Sequence, residues 1–297
     1  MTTDAPAASA HRGVENIVSL PRSQAVTAAV PAMFGYRMRP MPGVHRGLPS
    51  PYLTLVFSLS GALPIEVPAG TGVRSGSFGI PVGGLHTRPV LLPQTTSGDG
   101  GRCEPEASWQ RGIQLAVHPL ASRALFGMPA GELTGEVLEL DEVIGRRGGA
   151  LREQLTGPID PVTAVRLVSG WLESRLSAAA GHPAAELRHA WQLIVASGGR
   201  CRIGDVAREV GWSRRHLTAS LKTETGLGAK DLARVTRFRL ASSMLVDTRP
   251  PLSAIAADCG YADQSHLTTE WREFAGCTPG QWIAEELPAL SGHRHGD

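Results

Sequence analysis

The stretch VAREVGWSRRHLTASLKTETG (206–226) recurs as IAADCGYADQSHLTTEWREFAG (255–276). With one extra residue in the second copy, Ala207 pairs with Ala256, Gly211 with Gly260 and Trp212 with Tyr261. HLT recurs at His216 and at His266, Leu221 and Lys222 pair with Trp271 and Arg272, and Gly226 pairs with Gly276. A small residue at the first pair lets two helices cross closely. The glycines at 211 and 260 stand where the chain leaves a helix and turns sharply, which favours positive φ. Ser213 and Asp263 are candidate N-caps of the next helix. Leu217 with Leu221, and Leu267 with Trp271, are i,i+4 pairs that hold that helix to its own core. The opposite face is then polar: Arg214, Arg215, Thr218, Ala219 and Lys222 in the first copy, Gln264, Ser265, Thr268, Thr269 and Arg272 in the second. A short helix, a tight turn and a second helix with a polar outer face make a helix-turn-helix. Many helical hairpins share one such pattern; two in tandem are far more specific.

The joining segment LGAKDLARVTRFRLASSMLVD (227–247) reads as one longer helix, with Leu232, Val235, Phe238, Leu240 and Leu245 facing the cores. Roughly 17 helical residues span about 25 Å, which is near the ~34 Å between successive major-groove faces.

Residues 187–283 resemble the DNA-binding domain of the AraC/XylS family of transcription regulators. The family's distinctive signature lies in the second unit, and IAADCGYADQSHLTTEWREFAGCTPGQW (255–282) follows it, including Gly276, Thr278, Pro279 and the aromatic Trp282. The resemblance covers about a third of the chain. It implies a seven-helix domain that inserts two recognition helices into adjacent major-groove segments on one face of double-stranded DNA. It further implies base reading by Arg215, Thr218 and Ala219 in the first unit and by Gln264, Ser265, Thr268 and Thr269 in the second. Two positions depart from the common pattern: Thr269, where relatives often carry Arg, and Trp271, commonly Phe. Ala219 has no hydrogen-bonding group and is limited to packing, for example against a thymine methyl.

Charge divides the two units. Residues 200–240 hold ten Arg or Lys and four Asp or Glu, whereas residues 241–286 hold two and seven. Phosphate attraction dominates nonspecific affinity, so the first unit and the joining helix are expected to anchor the DNA through Arg214, Arg215 and Arg237. The second unit is then expected to dock more weakly, or with help from a partner or a second protomer, unless its acids lie on the side away from DNA.

The whole chain has 297 residues, which suits about two domains, and its net charge of +2 says nothing about nucleic acid. From about Phe34 to Ile144 the text is strand-like. YLTLVFSLS (52–60) sets Leu53, Leu55, Phe57 and Leu59 on one face, and GIQLAV (112–117) does the same with Ile113, Leu115 and Val117. Gly- and Pro-rich turns between such runs suggest a sandwich or barrel. PVTAVRLVSGWLESRLSAAA (161–180) reads as a helix with an apolar stripe through Val162, Val165, Val168 or Leu167, Trp171, Leu172 and Leu176, with Asp160 as its N-cap and Pro161 first. That stripe is expected to bury against the barrel or against a second subunit. AGHP (180–183) breaks it, and AELRHAWQLIVAS (185–197) is helical again.

The expected fold class is therefore α+β. It comprises a disordered N-terminus over 1–33, a β-rich domain over 34–150, a helical connector over 151–182, an all-α DNA-binding domain over 183–287 and a tail over 288–297. Relatives in the family often carry a cupin-like β-barrel that senses an effector or dimerises, so the resemblance makes the β-rich domain a cupin-like barrel or sandwich. Its implied partners are double-stranded DNA, a small-molecule effector, a second copy of the chain and RNA polymerase.

No catalytic residue, cofactor or metal site is expected. A metal-binding cupin needs an HxH pair followed by Glu, whereas His45, His86 and His118 stand alone and read as structural or exposed; HRH (293–295) lies in a polar tail. Cys103, Cys201, Cys259 and Cys277 lack metal-ligand spacing, which suits a reduced, cytoplasmic, nucleoid-associated protein. The text has no run long enough to span a membrane and no signal-peptide layout at its start. The competing readings are a tandem helical module used for protein contacts and an enzyme with a DNA-binding appendage. A DNA-repair methyltransferase of the Ada type needs a Cys-rich zinc site and a Pro-Cys-His-Arg motif, and the sequence holds neither; it also lacks GxSxG, P-loop and HExxH motifs.

Overall fold

The computed structural model describes residues 14–39, 43–66, 75–94, 109–179 and 183–287. Cys103, the expected break at 180–182, the tail from 288 onwards and the first 13 residues lie outside them. Within the described residues, ten strands build the N-terminal part: β1 (Val14–Val18), β2 (Ala32–Met38), β3 (Gly43–Gly47), β4 (Leu53–Ser58), β5 (Leu63–Ile65), β6 (Gly76–Phe78), β7 (Pro81–Gly83), β8 (Val90–Gln94), β9 (Gln110–Val117) and β10 (Val137–Glu139). Five helices accompany them: α1 (Gln24–Ala29), α2 (Ser122–Phe126), α3 (Leu140–Ile144), α4 (Arg146–Leu155) and α5 (Pro161–Ser177).

The six-stranded main sheet runs β1-β2-β9-β4-β7-β10, and β3-β8 and β5-β6 form two-stranded sheets. The alternation read in the sequence is realised at its centre. Leu53, Leu55 and Phe57 of β4 and Ile113, Leu115 and Val117 of β9 are fully buried, paired antiparallel with Leu55 opposite Leu115. The sheets stay open and no barrel closes. Strands β5, β6, β7 and β10 have three residues each. Glycines and prolines interrupt this region, so no strand there is long enough to wrap round to β1.

The stripe on α5 packs on the sheet: Val165, Val168 and Leu172 are buried, and Trp171 meets Phe57 edge-on at 6.1 Å. Asp160 caps α5 by accepting from the Val162 and Thr163 amides. Helical structure begins before the expected connector, since α3 and α4 precede residue 151 or straddle it.

The expected disorder over 1–33 is corrected for residues 14–33. There β1 pairs with β2, Ser23 caps α1, and Val26 and Val30 are fully buried. Bulk Ala, Ser, Thr and Pro content masked this, because a few well-spaced apolar residues suffice to dock a short helix on α5.

Seven helices follow: α6 (Ala185–Ala196), α7 (Ile203–Glu209), α8 (Arg214–Thr225), α9 (Ala229–Asp247), α10 (Leu252–Cys259), α11 (Gln264–Ala275) and α12 (Pro279–Glu286). The joining helix α9 has 19 residues, about 28 Å at 1.5 Å per residue. It buries Leu232, Val235, Phe238 and Leu245 and leaves Leu240 half-buried.

Candidate nucleic-acid interface

Each unit of the repeat is a helix, a turn and a second helix: α7 with α8, and α10 with α11. Gly211 and Gly260 hold the turns at φ 71° and 76°, a region that L side chains enter only with strain. Ser213 Oγ accepts the His216 amide at 3.1 Å, and Asp263 Oδ1 accepts that of His266 at 2.7 Å. Each cap satisfies an amide that the first turn of a helix leaves unpaired. The recurring histidine also has a packing role that sequence reasoning missed. Trp212 meets His216 edge-on at 4.4 Å, and Tyr261 meets His266 at 5.3 Å. The aromatic in each turn thus rests on the first turn of the helix that follows. The signal was present in the aromatic that precedes HLT in both copies.

The outward faces fall where the repeat pattern puts them. Arg214, Arg215, Thr218, Ala219 and Lys222 are exposed on α8; Gln264, Ser265, Thr269 and Arg272 are exposed on α11, with Thr268 half-buried. Leu217, Leu221, Leu267 and Trp271 are buried on the opposite faces.

Arg237, expected to meet phosphate, has partners within the protein. Its Nη2 lies 3.4 and 3.5 Å from the two carboxylate oxygens of Glu270, and its guanidinium carbon sits 4.7 Å over the Tyr261 ring. Its partners within the protein thus lie at the α9–α11 junction. The charge imbalance follows from the same packing. Of the seven acidic residues in 241–286, Glu270 and Glu273 engage Arg234, Glu285 and Glu286 engage Arg46 and His45, and Asp263 caps α11. Most of the negative charge in the second unit is therefore committed within the protein.

The N-terminal part touches both units. Arg123 of α2 makes a two-pronged ion pair with Glu224 near the end of α8, through Nε at 2.9 Å and Nη2 at 2.8 Å. Beneath the second unit, the fully buried Glu286 accepts the Arg46 amide at 2.8 Å and pairs with His45 Nδ1 at 2.7 Å. His86 Nδ1 is hydrogen-bonded to the Arg88 carbonyl. At the end of β9, His118 Nδ1 accepts the Leu120 amide at 3.1 Å and its ring packs on Trp191. All three histidines thus have structural partners.

Between the two parts lies a cavity of about 250 Å³. Phe34, Val56, Leu63 and Leu92 supply apolar wall from the sheets, while Arg239, Ser242, Ser243 and Val246 of α9 and Trp282 of α12 close the other side. The charged or titratable residues along it are Tyr36, His45, Arg46 and Arg239, with no carboxylate among the described lining residues. Among the described residues, no group of three or more His, Cys, Asp or Glu is placed to hold a metal ion, and no helix is long and apolar enough to cross a membrane. Cys201, Cys259 and Cys277 are free thiols; burial pushes the Cys259 thiol up to about 11.

A helix-turn-helix domain family matches residues 206–285. A protein of Streptomyces antibioticus named as an AraC-like transcription regulator is 26% identical over 175 residues, which is 59% of this chain and 50% of that protein. The match thus spans half the length of that curated relative. Among solved structures, an apo variant of ToxT from Vibrio cholerae superposes with a TM-score of 0.51 at 12% identity, covering 85% of this chain and 97% of that one. Wild-type ToxT with bound unsaturated fatty acid superposes at 0.50 and 12% identity, covering 91% and 99%. These likenesses establish a shared fold: a β-rich N-terminal domain followed by a helical one. With both capped units and their outward faces in place, the C-terminal part of the chain is an AraC-type helix-turn-helix domain.

Proposed function

We propose that the protein is a sequence-specific transcription regulator that reads two adjacent major-groove segments of double-stranded DNA with α8 and α11. The observation that carries this reading is the pair of capped helices on one joining helix, each burying a largely apolar face and exposing a polar one. Arg214, Arg215 and Lys222 supply phosphate or guanine contacts, Gln264 is suited to adenine, and Thr218, Ser265, Thr268 and Thr269 supply shorter contacts. Arg272 adds charge at the second unit. On this reading the chain regulates and performs no reaction of its own. It works in the cytoplasm at the nucleoid, with RNA polymerase and a second copy of the chain as further partners.

The same reading gives the cavity to a small amphipathic effector. Its apolar walls and basic polar residues suit an acid with a hydrocarbon body, and ToxT, which shares the fold, has been solved with unsaturated fatty acid. Because α9 forms part of the wall, an occupant touches the helix that joins the two reading units.

Selection of duplex sites from genomic fragments by the purified chain, followed by gel shifts across a salt series, tests the proposal. Salt-sensitive binding to a recurring bipartite site is expected, with affinity altered by long-chain fatty acids. The absence of a salt-sensitive shift with any fragment overturns DNA reading; unchanged affinity with every acid tried overturns the effector part alone.

A further inference from the structure

Aligning the repeat places Ser220 and Thr223 of α8 opposite Glu270 and Glu273 of α11. The units otherwise share their frame, so the added charge at two positions turned towards α9 calls for a reason. Glu270 is 4% exposed and engages two guanidinium groups one turn apart on α9. Arg234 Nε donates to its Oε2 at 2.9 Å, and Arg237 Nη2 lies within 3.5 Å of both oxygens. Arg234 also donates to Glu273 at 2.6 Å and lies 4.9 Å over the Phe274 ring, while Arg237 lies over Tyr261. Burial opposes the Arg234 charge, yet the hydrogen bonds to Glu273 and Glu270 outweigh it and hold that guanidinium above the ordinary arginine range. Among the described residues, no ion pair joins α8 to α9 in the first unit.

A buried carboxylate is a weak source of net stability, because losing its water offsets much of the attraction; its best-attested use is to fix a register. The rest of this junction is aromatic: Phe238 against Trp271 at 5.0 Å and against Phe274 at 5.1 Å. Ring contacts alone tolerate sliding, whereas charge-assisted hydrogen bonds to a guanidinium demand a set geometry.

We infer that Glu270 is a positioning residue for DNA recognition: with Arg234 and Arg237 it fixes α11 against α9 and so sets the single half-site spacing the protein accepts. The inference rests on the DNA-reading function proposed above. One base pair moves a half-site by about 3.4 Å and a tenth of a turn, so a rigid pair of readers rejects an inserted or deleted pair.

The test uses the full chain. Sites selected from a random duplex library by the wild type are remade with one base pair added or removed between half-sites. Affinities are then measured for the wild type, Glu270→Gln, and a variant carrying Arg234→Met, Arg237→Met and Glu270→Leu, whose apolar junction keeps the fold if the charged one perturbs it. The wild type is expected to lose about tenfold or more on either altered spacing, the cost of about one badly matched pair. Both variants are expected to lose less than about threefold, with Glu270→Asp restoring part of the discrimination. If the wild type selects no site, the DNA-reading function falls and this inference with it. If the wild type discriminates spacing and the variants discriminate equally, only this inference falls. A uniform loss of affinity across all spacings makes Glu270 merely structural and also overturns it.

Discussion

His118 and Trp191 meet with ring centroids 4.1 Å apart, one at the end of β9 and the other on α6, so a neutral imidazole lies between the two parts of the molecule. Burial, together with the charge of Arg188, lowers the His118 pKa from its ordinary 6.5 to about 4. Its Nδ1 accepts the Leu120 amide, so a proton on that nitrogen breaks the cap as well as charging the contact. Since the folded value is the lower one, the unfolded chain binds more protons between pH 4 and 6.5. The stabilisation is therefore complete above pH 6.5 and drains away as pH falls towards 4, amounting to on the order of 3 kcal/mol. Urea unfolding at a series of pH values is expected to show this slope in the wild type and a flatter one in His118→Asn, which keeps a capping acceptor without titrating in this range. Equal slopes would remove His118 from the account.

Phosphate contacts register in the salt dependence of binding. Each one contributes a slope of about 0.9 in log affinity against log salt. Replacing the exposed Arg214 and Arg215 together by Ala is expected to reduce the slope by about one to two and to weaken binding to all sequences. Arg237→Ala is expected to leave the slope as it was and to lower the melting temperature, because it strips one partner from the buried Glu270. A slope loss in Arg237→Ala matching that of the double variant would return Arg237 to the DNA face.

The two helix-turn-helix units were legible in the sequence because their determinants are local. A cap, a turn glycine and an i,i+4 leucine pair each act within a few residues, so Ser213, Gly211, Leu217 and Leu221 could be placed without knowing what surrounds them. The central strands were legible for the same reason, through the alternation at Leu53, Leu55 and Phe57. What stayed hidden was set by distant partners. Arg237 reads as a phosphate ligand until Glu270 is seen 33 positions along the chain at its guanidinium. Nothing in the text around Glu286 announces His45, 241 positions away. The open sheet was hidden too, since strand length at Gly- and Pro-rich edges is decided by pairing and not by alternation.

Two glycines with similar backbone angles are expected to behave very differently. Gly199, at φ 74°, follows α6 and lies against α9, where an added Cβ would overlap the Ala233 carbonyl oxygen. Gly211, at φ 71°, has nothing within 4 Å of such a Cβ. Gly211→Ala carries only the cost of the left-handed backbone, about 1–2 kcal/mol. Gly199→Ala adds a clash with main chain that cannot move without shifting α9, bringing the loss to about 3 kcal/mol or more. Denaturant unfolding of the two variants checks the difference, and comparable losses would mean that α6 and α9 can separate at little cost.

Glu286 ties α12 to β3 through a carboxylate that has no exposed surface and accepts both the Arg46 amide and the His45 ring. Glu285 adds an ion pair with Arg46 on the protein surface, where such pairs contribute little. Removing the buried acceptor leaves the Arg46 amide unpaired, which costs about 1–3 kcal/mol. Glu286→Ala is therefore expected to loosen the attachment of α12 to β3 while α10 and α11 keep their own core around Leu267, Trp271 and Phe274. Hydrogen exchange should show faster exchange in α12 and in β3 and unchanged protection in α11. Glu285→Ala is expected to leave all three as they are. If α11 loses protection together with α12, the second unit does not hold itself together, and its contact with the N-terminal part has to be counted among the forces that shape the DNA-reading face.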